Sequence, residues 1–166
     1  MTHRPPSVKA SGPTLRKATV QEVGEIRVLL QEFAHQWDVL PRTLAELYTQ
    51  VRDYFVYRED QGPLMGVAAL HIFWEDLGEI RSVVVRPEFQ GRNLGSRLVK
   101  RCLTEARELG LKRVFVLTSA QEFFKRFGFQ EVPRQELPRI IWAECVQCVK
   151  FPDCDEVPMV LNLPGP

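Results

Sequence analysis

The chain has no long hydrophobic run, almost no net charge and few cysteines, and each shortage removes a class of protein. None of its apolar stretches approaches the ~20 residues that a membrane-spanning helix requires. Lys and Arg number 22 against 21 Asp and Glu, a formal charge of +1, so no global field steers the chain to nucleic acid or to an anionic membrane surface. Recognition of a charged partner must therefore be local. Four cysteines, three of them crowded into Cys145, Cys148 and Cys154, are too few and too unevenly placed for a disulfide framework. Residues 1–13 lack the apolar core of a secretion signal, so the expected compartment is the reducing cytoplasm. The sequence also contains neither a Gly-Lys-Ser/Thr phosphate loop nor a G-x-G-x-x-G fingerprint. What is present is 166 residues, 45% apolar and 26% charged, which suits one globular domain at residues 14–166 behind a flexible leader at residues 1–13.

Hydrophobic spacing divides that domain into alternating strands and helices. A short strand at residues 15–18 leads to Thr19, which with Glu22 three residues on forms a capping box. Val23, Ile26, Leu29, Leu30 and Phe33 then recur at helical spacing. Thr43 starts a second helix, with Leu44, Leu47, Tyr48 and Val51 on one face. Strand-like runs at residues 54–58 and 65–74 flank the turn signal Asp60-Gln61-Gly62-Pro63. Gly78 is expected to break the second run before a strand at residues 79–86, which Pro87 stops. A helix with Leu94, Leu98, Val99, Cys102, Leu103, Ala106 and Leu109 on its buried stripe follows, closed by Gly110. Residues 113–118 form an apolar strand of the kind buried on both faces, so strand, helix and strand predict a right-handed βαβ crossover. A short helix at 120–127 and strands at 129–132 and 157–163 complete a mixed α/β (α+β) pattern. Trp37, Trp74 and Trp142 are expected as core or hairpin anchors.

The loop Gln90, Gly91, Arg92, Asn93, Leu94, Gly95 and Ser96 joins a strand to a helix, where backbone N–H groups and the helix N-terminus make an anion site suited to a diphosphate. An ordinary glycine-containing turn would look the same in isolation. The whole run from Glu79 to Gly95, EIRSVVVRPEFQGRNLG, resembles the acetyl-CoA-binding motif of the GNAT acetyltransferases. Phe123-Phe124-Lys125-Arg126-Phe127-Gly128-Phe129 resembles their second, coenzyme-flanking motif. With Leu40-Pro41-Arg42 and the strand at 113–118, the resemblance narrows to short single-domain amino-acid N-acetyltransferases, the N-acetylglutamate synthases, and covers about residues 15–163.

The resemblance implies a GNAT fold, a central twisted mixed sheet flanked by helices, and acetyl-CoA as cosubstrate. Acetyl transfer to the α-amine of L-glutamate, the first step of arginine biosynthesis, would proceed by direct attack in a ternary complex. Another amine acceptor, such as glutamine, a different amino acid or a peptide N-terminus, stays open, as does an acetyl-CoA sensor without catalysis. Glu79 falls where such enzymes place a carboxylate base, although a Glu79–Arg81 surface pair is the plainer reading. Strand alternation puts Glu79, Arg81, Val83 and Val85 on one face. Backbone groups of Val83, Val84 and Val85 are implied in pairing with the pantetheine arm and in holding the oxyanion. Arg42 and Arg81 are the candidate guanidinium partners for a dicarboxylate acceptor.

Two residues depart from the family pattern. Asn93 replaces the first loop glycine, and Asn is the side chain that best tolerates the left-handed conformation. Phe124 replaces a tyrosine that protonates the leaving thiolate, yet a thiol of pKa near ~8.5 leaves tolerably without that help. Cys145, Cys148 and Cys154 admit structural zinc, free thiols or a disulfide, with free thiols favoured, and no metal is assigned. The segment 142–156 is alternatively part of the substrate wall. Small molecules are thus the expected partners, without nucleic acid or membrane, and the last strand is a candidate homodimer contact.

Overall fold

The first helix begins where one carboxylate satisfies a backbone N–H and a hydroxyl: Glu22 accepts from the N–H of Thr19 at 2.9 Å and from its hydroxyl at 3.2 Å. The computed structural model describes residues 12–34, 36 and 39–165. Most of the expected leader and Trp37 lie outside the described residues. The strand β1 (Thr14–Lys17) precedes α1 (Val23–Phe33), which buries all five of its periodic apolar residues. A second capping box, Thr43 with Glu46, opens α2 (Leu44–Thr49). Only Leu47 of this helix is buried; Tyr48, expected on the same face, is exposed because the helix ends after six residues.

The strands β2 (Tyr54–Arg58), β3 (Leu64–Trp74) and β4 (Leu77–Val85) pair antiparallel in sequence. Gly78 does not end a strand. It lies inside β4 opposite Ile72, where a Cβ would come within 2.8 Å of a Leu111 methyl, so the glycine permits close packing rather than a break. Trp74 closes the β3–β4 hairpin but is 65% exposed, and so is no core anchor.

The helix α3 (Leu94–Glu108) returns the chain to β5 (Arg113–Thr118), which is parallel to β4. Leu109, expected on the buried stripe, lies beyond the helix end and is exposed. The short α4 (Gln121–Lys125), β6 (Gln130–Glu131), α5 (Arg139–Val146) and β7 (Val157–Asn162) follow. The seven strands run in the order β1-β2-β3-β4-β5-β7-β6. The last strand is therefore not a free edge for self-association: β5 pairs with it along one side and β6 with Met159 and Val160 on the other. The helix α5 was not foreseen, since its apolar residues are flanked by prolines and charges rather than by caps.

Three apolar clusters hold the layers together. One packs α3 against β2 to β5, and a second packs α1 and α2 against the opposite face of β2 to β4. A third, smaller cluster sets Leu137 and Ile141 of the α5 region against Leu77 and Phe115. Among the described residues no helix is long and apolar enough to cross a membrane.

Candidate active site

The site lies where two neighbouring parallel strands part company. β4 and β5 pair only from Leu77 to Glu79 with Arg113 to Phe115, and beyond Glu79 the strands diverge. The opening is a cleft of about 630 Å³ with β4 on one wall and Val116 to Ala120 on the other. Backbone groups of β4 past Glu79 that face this gap make no ladder with β5, so they are available to an extended ligand. One is partly occupied already: the Gln90 amide donates to the carbonyl oxygen of Val85 at 3.1 Å.

A bulge reshapes the β4 wall. Val67 pairs with Val84, but Ala69 pairs with Arg81, so Ser82 and Val83 together oppose Ala68. Ser82 takes φ +56°, and its Oγ lies 3.4 Å from the Tyr54 hydroxyl. The extra residue inverts the alternation. Glu79 and Arg81 face the side of the sheet covered by α1 and α2, as Val84 does, whereas Val83 and Val85 pack toward α3. The shared face expected for Glu79, Arg81, Val83 and Val85 is corrected accordingly.

At the mouth of α3 the loop adopts the geometry an anion requires. Gly91 and Asn93 have φ +78° and +59°, and Asn93 is the N-cap residue. The first-turn N–H groups of Leu94, Gly95 and Ser96 have no partner within the helix and point out of its positive end. Gln90, Gly91, Asn93, Leu94, Gly95 and Ser96 all border the cleft. Arg92 does not; its guanidinium lies 5.6 Å from the Phe89 ring centre. Across from the loop, Phe124 borders the cleft and packs edge-on against Phe123 and Phe129, with Arg126 over the Phe123 ring. Arg126, Thr118 and Ser119 were not singled out from sequence, because nothing in their spacing says that the strand end and α4 meet the loop.

Glu79, Arg81 and Arg42 are brought together at the inner end of the cleft. Glu79 and Arg81 are each only 8% exposed, so the surface-pair reading fails. Arg81 Nη1 lies 3.3 Å from Glu79 Oε2 and 3.5 Å from Glu144 of α5, and Nη2 donates to Gln50 at 2.8 Å. Burial pushes the Glu79 carboxyl above its ordinary value, outweighing the opposing pull of Arg81 and Arg42. Arg42 Nη1 lies 3.8 Å from Glu46, and its Nε, like that of Arg81, is buried without a hydrogen-bond partner among the described residues. Such donors are costly to leave unmatched.

A second cavity of about 160 Å³ adjoins the first and shares Leu40, Arg42, Glu79, Leu117 and Glu156 with it. Its far wall is α5 and the segment after it, including Trp142, Glu144 and the free thiols Cys145, Cys148 and Cys154. Among the described residues no group of three or more His, Cys, Asp or Glu is placed to hold a metal ion. Trp142 donates to the Arg134 carbonyl at 3.2 Å and packs on the third cluster, anchoring this wall.

Comparison with known proteins agrees with this geometry. Residues 24–129 match the model of the acetyltransferase (GNAT) family. A protein of Mycobacterium tuberculosis (strain ATCC 25618 / H37Rv) named amino-acid acetyltransferase is 40% identical over 134 residues, 80% of this chain and 75% of that one. Among solved structures, Rv2747 from Mycobacterium tuberculosis, in complex with CoA and NLQ, superposes with a TM-score of 0.76 at 33% identity, over 91% of this chain and 99% of that one. N-acetylglutamate synthase from Neisseria gonorrhoeae, complexed with coenzyme A and N-acetyl-glutamate, superposes with a TM-score of 0.81 at 27% identity, over 94% of this chain but 36% of that one. The parted strands, the left-handed loop at a helix N-terminus and these likenesses lead to one conclusion: the chain belongs to the GNAT acetyltransferase family.

Proposed function

We propose that the protein is an acetyl-CoA-dependent amino-acid N-acetyltransferase whose acceptor is L-glutamate, producing N-acetyl-L-glutamate as in the first step of arginine biosynthesis. The observation that carries this reading is a buried carboxylate, Glu79, beside the buried Arg81 and the half-buried Arg42, each arginine with a buried Nε that has no partner among the described residues, at the inner end of the cleft. The amino-acid acetyltransferase name of the relative and the N-acetyl-glutamate bound to the solved neighbour support it.

In this mechanism the diphosphate of acetyl-CoA sits on the N–H groups of Leu94, Gly95 and Ser96 over the Gly91–Asn93 turn. The pantetheine arm lies along the open edge of Val83 to Val85, extending the strand by backbone pairing. Arg42, with its spare donors, takes an acceptor carboxylate, and Arg81 holds the charge near Glu79. An amino-acid amine is mostly ammonium near neutral pH, so Glu79 removes a proton before the nitrogen attacks the thioester carbonyl. A carboxyl with a raised pKa suits that task better than an ordinary one, because it is a stronger base when ionised. The tetrahedral oxyanion falls near the Ser82 bulge, where a backbone N–H is released from the ladder. Collapse of the intermediate expels the thiolate of coenzyme A, and the second proton of the attacking nitrogen passes to that thiolate or to solvent as the amide forms. Phe124 has no proton to donate, so the thiolate leaves as such or takes its proton from that nitrogen or from solvent.

The second cavity favours one competing acceptor. Its wall carries Glu144 and Glu156 as well as Arg42 and Arg134, so a carboxamide side chain such as that of glutamine would find both donors and acceptors. A thiol-release assay with acetyl-CoA and a panel of glutamate, glutamine, other amino acids and peptide N-termini separates the readings. Glutamate giving the highest kcat/KM supports the proposal, and a clear preference for another amine replaces it. Acetyl-CoA binding without thiol release for any amine overturns the catalytic reading.

A further inference from the structure

Glu79 takes up a proton in each turnover and must lose it before the next, yet it is buried and its cleft side is filled by the two substrates in the ternary complex. The side of Glu79 away from the cleft offers a route. Its cross-strand partner on β3 is His71, so the pleat places both side chains on the same face of the sheet. His71 Nδ1 lies 2.6 Å from Oδ2 of Asp53, a short, charge-assisted contact. Both partners reach solvent, with side chains 24% and 21% exposed, and neither borders the cleft. Phe73 packs edge-on against the imidazole at 5.1 Å and limits its rotation.

We propose that His71, oriented by Asp53, is the proton outlet of Glu79, a positioning residue for the acetyl transfer; the inference rests on the reading of Glu79 as base. With the Nδ1 proton held toward Asp53, Nε2 carries the lone pair. The proton taken from the acceptor ammonium forms the Glu79 carboxylic acid. That O–H bond then breaks as an N–H bond forms at His71 Nε2, and the imidazolium gives the proton to solvent water. One proton passes from ammonium to solvent, and Glu79 and His71 return to their starting states. Opposed residues in an antiparallel pair hold their Cβ atoms about 4.5–5.5 Å apart, a gap that one water or a rotation of the Glu79 side chain spans. The titratable and charged groups around Glu79 are His71 on β3, Arg81 on β4, Arg42 before α2 and Glu144 on α5; β5 presents the apolar Phe115 at this register. The device also has a common support. Gln50 and Asp53, three residues apart at the turn after α2, hold Arg81 and His71 respectively.

The test compares wild type with Glu79→Gln, His71→Ala, His71→Gln and Asp53→Asn, using acetyl-CoA and the amine identified by the panel. His71→Ala is expected to lower kcat about tenfold or more, to leave acetyl-CoA affinity unchanged, and to recover when imidazole is added. His71→Gln, which keeps a hydrogen bond to Asp53, shows the same kcat loss and serves if the alanine variant folds poorly. Asp53→Asn lowers kcat in the same direction by a smaller factor. A wild-type kcat in His71→Gln, with Glu79→Gln still crippled, overturns the outlet. Loss of activity in His71→Ala without imidazole rescue also overturns it. Wild-type kcat in Glu79→Gln overturns instead the underlying assignment of the base.

Discussion

Glu79 shows how one carboxylate is set apart from the other acidic side chains. Burial raises its pKa while Arg81 and Arg42 pull it back, so the group stays ionisable yet basic. Glu79→Gln is expected to lower kcat by about 100-fold or more while acetyl-CoA affinity, read by calorimetry, stays unchanged. The wild-type rate should fall on acidification at a pH above the ordinary carboxylate range, because the raised pKa protonates the proposed base there. Arg42 is the complementary case. Its Nε has no hydrogen-bond partner among the described residues and its Nη1 lies 3.8 Å from Glu46, so on the proposed reading Arg42→Ala removes substrate contacts and costs little stability. One lost charge-assisted contact predicts a KM for glutamate about 30-fold higher with kcat little changed. Steady-state kinetics on the purified variant checks this, and an unchanged glutamate KM removes Arg42 from the acceptor site.

At the scale of the element, the strand–loop–helix unit of β4 and α3 was largely legible in sequence. The β-branched run, Pro87, the Gly91–Gly95 loop and the helical stripe from Leu94 each follow from local preferences, and Asn93 adopts the left-handed φ its side chain tolerates. A β-branched residue cannot do so cheaply. Asn93→Val is therefore expected to cost about 1–3 kcal/mol in the loop and to weaken acetyl-CoA binding, whereas Asn93→Gly binds as wild type. Titration calorimetry with acetyl-CoA distinguishes the two. The bulge at Ser82 was not legible, because the run Arg81-Ser82-Val83-Val84-Val85 reads as uninterrupted alternation. The inversion of faces is set by the pairing with Val67 and Ala69 and by the contact to Tyr54, partners remote in sequence. Gly78 misleads for the same reason: its lack of a side chain serves the neighbouring Leu111 and not the local backbone.

At the scale of the whole molecule, a second polar cluster on Glu22 ties β1, α1 and β2 together, remote in sequence from the catalytic candidates. Burial alone would raise the Glu22 carboxyl, but hydrogen bonds from Arg16, Thr19 and Arg58 outweigh it and bring it to about 2. A depressed carboxylate stabilises the fold above its ordinary value of 4.5, and that contribution is lost as pH falls toward about 2. Glu22→Gln should lower the melting temperature near neutral pH, with a loss of about 3 kcal/mol, and the gap to wild type should close across that acid window. Thermal melts of both proteins over a pH series measure it.

Local chemistry determined the strand and helix order, the capping boxes, the parallel crossover and the phosphate-type loop, because each rests on neighbours within a few residues. A near-neutral charge left recognition to a few side chains, and Glu79, Arg42 and Arg81 could be named as candidates. Only the tertiary structure decided which way those side chains face, how deeply Glu79 is buried, and that α5 supplies Glu144 and the cysteine-bearing wall. It also placed His71 and Asp53 behind Glu79. These outcomes depend on strand register, on the parting of β4 from β5 and on residues up to a hundred positions away, none of which a local pattern encodes.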